Sequence, residues 1–166
     1  MPEQETKQRA KRAKERGEAP STQAGEFVRE EMHHIREGKH GARSTRQAIA
    51  IGLSKARRSG VELEPPPPGT ASESTRRHAE RDLERSHRGT QRVSSRRSRA
   101  TTRALEREGS GAASHEALSD QAHRSARARG RSSRSSAAHK ATRTKGPKGR
   151  KAAARKAART RSARGR

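Results

Sequence analysis

The chain has 166 residues, with 42 Lys and Arg against 18 Asp and Glu, for a formal net charge of +24. Leu, Ile, Val and Phe number twelve, about 7% of the residues, far below the ~20% under which packed domains become rare. With one Phe and no Tyr, Trp or Cys, this inventory excludes an ordinary globular core, a disulfide framework and thiolate metal sites. It predicts a mostly disordered chain with a small all-α element, a helical hairpin over about residues 22–60, and a long basic tail.

In chain order, residues 1–20 alternate Glu with Lys and Arg and have no apolar face beyond Ala10 and Ala13. They read as a charged arm, disordered or nascent helix, and not as a secretory signal. Residues 21–64 read as a helical-hairpin mini-domain, since nine of the fourteen Val, Ile, Leu, Met and Phe lie between 27 and 63. Ser21 or Thr22 is the expected cap of the first helix, and Gly38 its stop. At 100° per residue, Ala24, Phe27, Val28, Met32 and Ile35 share an arc of about 140°. Glu31 falls inside that arc, which predicts a cationic partner. Ser44 and Gln47 have capping-box spacing at the start of the second helix, and Gly60 closes it. Ala48, Ile49, Gly52, Leu53 and Ala56 share its apolar face, and three of these five are small enough for close approach. So few large residues make the hairpin marginal alone, and a homodimer through it would supply the missing burial.

Residues 65–69 read as a stiff polyproline spacer and a domain boundary. Residues 70–120 form a low-complexity Ser/Arg region around isolated Leu83, Val93, Leu105 and Leu118. A helix over 75–88, capped by Ser74, has only Arg76–Glu80 and Glu84–Arg88 pairs to support it, each contributing roughly 0.2–0.5 kcal/mol. Transient helices are expected there. Residues 121–166 carry seventeen Lys and Arg and no acid, while the rest carries 25 basic and 18 acidic residues. Thus +17 of the +24 lies in the final quarter. A segment with nothing to bury and strong self-repulsion must take its binding energy from a polyanion.

The stretch STQAGEFVREE, followed by GKHGARS and QAIAIGLSKARR, resembles a family of small, uncharacterised, basic bacterial proteins over about 49 residues, 21–69. The resemblance implies a bacterial source and brings no catalytic residues. The ending KGPKGRKAAARKAARTRSARGR is similar in composition to histone H1-like tails.

Three candidate nucleic-acid-binding sets follow. Lys39 and Arg43 in the glycine-flanked loop, with Ser44 at the next helix N-terminus, form either a phosphate seat or a solvated turn. Arg46, Arg57 and Arg58 line the far face of the second helix, the strip a recognition helix would use or one that any basic amphipathic helix displays. In the tail, Arg127, Arg129, Arg131 and Arg134 alternate with Ser and Ala. Lys145, Lys148, Arg150, Lys151, Arg155, Lys156, Arg159, Arg161 and Arg164 sit among Ala runs that favour helix once phosphates neutralise the charge.

His33, His34 and His40 read as surface histidines, because adjacent helical histidines point about 100° apart. No metal, cofactor or catalytic constellation is expected, and the chain does not read as an enzyme. The expected function is non-specific duplex-DNA binding at the nucleoid, in the cytoplasm, by phosphate neutralisation. The alternatives are an RNA- or ribosome-associated binder, or a protein-interaction module localised by its tail. No membrane partner is expected, since no apolar run approaches the ~18 residues of a span.

Overall fold

The hairpin forms because two amphipathic helices are bounded where their caps require. The second of them, α3 (Thr45–Arg58), is capped by Ser44, whose hydroxyl accepts from Gln47 N–H at 3.2 Å. Gln47 Oε1 reaches back to Arg43 N–H at 2.8 Å, so the capping box closes one residue earlier than its usual register. The first, α2 (Pro20–Arg36), starts differently from expectation: Ala19 is its cap and Pro20 its first residue, where the missing N–H costs nothing. It ends at Gly38, whose φ of 72° lets Gly38 and Lys39 N–H reach Ile35 and His34 C=O.

The computed structural model describes residues 2–89 and 94–164, apart from the side chains of Arg97, Arg131, Ser132, Arg134, Ala141, Thr144, Lys145 and Arg164. It overturns the expectation of a mostly disordered chain: 76% of the residues are helical. Helix α1 (Gln4–Glu15) precedes the hairpin, and α4 (Glu73–His87), α5 (Ser95–Glu106), a 3₁₀ turn (Ser110–Ala113), α6 (His115–Ala128) and α7 (Gly130–Arg164) follow it. No helix among the described residues is long and apolar enough to cross a membrane. The chain divides into two compact units, Met1–Gln121 and Ala122–Arg166.

The first unit is built around the α2–α3 hairpin. Helix α1 packs on α2 through Thr6, Ala10 and Ala13, which share one helical face, and Arg9 ties it down by donating to Glu26 at 2.9 Å. Helix α4 lies on α3, capped by Ser72 rather than by Ser74. The tetraproline therefore connects two helices of the same unit. The 3₁₀ turn plugs the hairpin from another side: Arg36 and Thr45 side chains donate to the carbonyls of Ala113 and Ala112, at 2.8 and 2.7 Å.

The low count of large apolar residues did not preclude a core, because alanine supplies most of it. Among the described residues, eight of the twelve buried hydrophobic ones are Ala. One cluster joins Ala10, Ala24, Phe27, Ala56 and Val61; a second joins Met32, Ile35, Ala42, Ala48 and Ala113. Small side chains let helix backbones approach until dispersion contacts replace bulk. At Gly52 the approach is extreme, since a Cβ there would lie 2.7 Å from Val28 Cα.

Glu31 is fully buried in this packing, and its expected cationic partner is Lys55 of α3, whose Nζ lies 2.5 Å from Oε2. Removing one member of a buried ion pair strands the other charge. Lys55→Met is therefore expected to destabilise the protein by about 3–5 kcal/mol in chemical denaturation, and adding Glu31→Leu should recover most of that loss. Gly52→Ala should cost about 1–3 kcal/mol in the same measurement, through overpacking against Val28.

Candidate nucleic-acid interface

The loop that delivers the chain into α3 is not open to a phosphate. Gly41 N–H donates to Leu105 C=O at 2.9 Å and Ala42 N–H to Gly109 C=O at 3.2 Å, while Arg43 and Gln47 amides are taken by the capping contacts. A Cβ on Gly41 would sit 1.8 Å from the Glu108 carbonyl oxygen, so the backbone of 105–109 occupies the place a ligand would need. The expected phosphate seat is filled by the chain itself. Ser44 spends its hydroxyl on the cap. Arg43 is 80% exposed and lies 3.7 Å from the Glu108 carboxylate. Lys39 lies 3.1 Å from Glu37 and 3.5 Å from Glu3, and the hydrogen bond to Glu37 raises it above the ordinary lysine value. Both keep exposed charge, but each is answered by an acid.

The second-helix set also separates. Arg57 is buried, and its guanidinium donates to the carbonyls of Leu63 and Glu64 at 2.9 and 3.2 Å. Burial pushes it below the ordinary arginine value, opposed by the charge of Asp82. It clamps the strand of chain leaving α3 and presents nothing to a polyanion. Arg58 donates to Ser54 C=O and lies 3.8 Å from Asp82 of α4, to which Ser54 also donates. The strip proposed for a major groove is thus partly covered by α4. Arg46 is exposed and its Nε donates to Gln121 at 3.3 Å.

The tail residues are placed otherwise. Ala and unbranched Lys and Arg lose little conformational freedom in a helix, and α7 is helical on both sides of Gly146. Gly146, at φ 59° and ψ 178°, interrupts it, and Pro147 restarts it at a position that needs no N–H. At 100° per residue Lys148, Lys151, Arg155 and Arg159 fall within an arc of about 80°, with Lys156 beside them. Arg150 and Arg161 lie on the opposite side. All seven are exposed, as are Arg127 and Arg129. The side chains of Arg131, Arg134, Lys145 and Arg164 lie outside the described residues. No Asp or Glu occurs in 121–166 to compete for these charges.

One set went unread in the sequence. Arg96, Arg99, Arg103 and Arg107, on and just after α5, repeat the same spacing of three, four and four and are all exposed. The periodicity was there to be found; what hid it was reading residues 70–120 as low-complexity and only transiently helical.

A different group holds the chemistry a metal would need: Glu31, His34 and His40 each offer one ligand atom within 4.8 Å of the others. His33 is exposed, but His34 is buried and His40 half-buried, so they are not all surface histidines. No family, no curated protein and no solved structure matches the chain.

Arg57→Ala separates the two roles an arginine can have here. It should lower stability by about 1–3 kcal/mol, through the stranded Leu63 and Glu64 carbonyls, in chemical denaturation. The salt dependence of nucleic-acid binding, measured by anisotropy, should stay unchanged.

Proposed function

We propose that the protein binds duplex DNA without sequence preference and acts as a nucleoid-associated protein. The observation that carries this reading is the exposed, acid-free basic stripe of α7, Lys148, Lys151, Arg155 and Arg159, on one helical face. Such a stripe displaces counterions from a phosphate backbone, and each contact contributes to affinity whatever the base sequence. The Arg96–Arg107 stripe offers a second set of the same periodicity. Duplex is favoured over single strands because the sole Phe, Tyr or Trp, Phe27, is 1% exposed and cannot stack on bases.

The test is a salt titration of binding to a duplex of random sequence. Log K should fall linearly with log salt, by about 0.9 per phosphate neutralised. Replacing Lys148, Lys151, Arg155 and Arg159 together by Gln should reduce the slope by about 3.6 if all four reach phosphates. An unchanged slope would remove α7 from the interface. Stronger and more salt-resistant retention by structured RNA in competition would replace DNA as the ligand.

A further inference from the structure

We propose that Glu31, His34 and His40 form a binding site for one divalent transition-metal ion of the zinc type. Glu31 and His34 stand three residues apart on one face of α2, the Glu-x-x-His spacing with which a helix offers a carboxylate and an imidazole to a single ion. The turn at Gly38 folds the loop back and brings His40 to the same place, its ring centroid 6.1 Å from that of His34 with the rings edge to face. His40 Nε2 lies 3.5 Å from Glu31 Oε1. Two ligands each about 2.1 Å from a tetrahedral zinc are separated by about 3.4 Å.

The independent observation is a buried carboxylate oxygen without a hydrogen bond. Glu31 is fully buried, its Oε2 accepts from Lys55, and its Oε1 accepts no hydrogen bond. A neutral His40 does not answer it. His40 Nδ1 lies 3.2 Å from Gly41 C=O, which can only accept, so Nδ1 carries the proton and Nε2 turns a lone pair toward Oε1. Two lone pairs facing each other inside the fold call for a cation between them. His34 has the complementary arrangement: its Nε2 lies 2.8 Å from the Glu3 carboxylate and donates to it, leaving the Nδ1 lone pair as the metal donor. An oxygen acceptor behind each ring is the second layer that fixes the tautomer and orientation of metal-ligating histidines.

The donor set selects the class of ion. Two imidazoles and one carboxylate suit zinc and its first-row neighbours, whereas Mg²⁺ and Ca²⁺ prefer shells of oxygen. Lys55 holds Oε2, so Glu31 binds through Oε1 alone, and water takes the fourth position. Bound there, the ion ties α2 to the loop that feeds α3 and, through Glu3, to the start of the chain.

The full-length protein, cleared of nucleic acid and stripped with a chelator, is titrated with Zn²⁺ by calorimetry and with Co²⁺ by visible absorption and proton NMR. One equivalent should bind, and Co²⁺ should broaden the ring signals of His34 and His40 first among the eight histidines. His40→Gln should weaken Zn²⁺ binding by roughly 100-fold or more, and Glu3→Gln by about tenfold. His33→Gln, whose exposed ring pairs with Glu37 at 2.9 Å, should leave binding unchanged. Broadening spread over the exposed histidines, or affinity that survives His40→Gln, would overturn the site. So would failure to take up stoichiometric metal. The Co²⁺ experiment on the natural chain decides the matter even if His40→Gln does not fold.

Discussion

The first unit depends on how closely α2 and α3 approach. With Val28 backbone where a Gly52 side chain would begin, the two helices meet nearly backbone to backbone. Every other contact in the unit is scaled to that distance. The buried Ala residues can fill the remaining space only because it is thin, and a short reach lets Lys55 meet Glu31 across the interface. A wider spacing would leave voids in a core that has only a few large residues, Phe27, Met32 and Ile35 among them, to fill them.

Polar contacts then take over work that larger domains leave to hydrophobic bulk. Arg57 holds the chain after α3 through two carbonyls, Arg36 and Thr45 hold the 3₁₀ turn, and Arg9 holds α1. Buried carbonyls and carboxylates need donors, and arginine supplies several in a fixed fork. A basic composition therefore serves two ends here. Part of the positive charge is spent inside the first unit on its own backbone and acids. The charge in 121–166 has no acid in its own segment to meet.

Much of the hairpin was legible from the sequence, because caps and helical periodicity are local. The Ser44 cap, the Gly38 and Gly60 stops and the apolar arcs all depend on residues within a few turns of one another, and Glu31 announced its need for a cation by falling inside such an arc, though its partner Lys55 lies on the other helix. The rest of the first unit was not legible, because its elements are held by contacts far apart in sequence. Ala113 meets Ile35, and Glu3 meets His34, with no local pattern to announce either pairing. Alanine also hides its role, since it reads equally as surface filler and as close-packed core.

The sequence by itself determined where the charge lies: a basic segment without acids cannot neutralise itself in any fold, so its need for counterions follows from composition alone. It also determined that α7 would be compatible with helix, in which Lys148, Lys151, Arg155 and Arg159 fall on one face. Only the tertiary structure decided which cations remain available. Arg57 could not be told from Arg46 by residue type, and a buried guanidinium facing carbonyls differs from an exposed one through packing alone. It likewise decided that Glu31, His34 and His40 meet, because bringing His40 back to α2 and enclosing Glu31 takes the loop, α3 and the 105–113 segment together. Local periodicity carries no information about such an enclosure, which is why the same histidines read as surface residues until the fold put them inside.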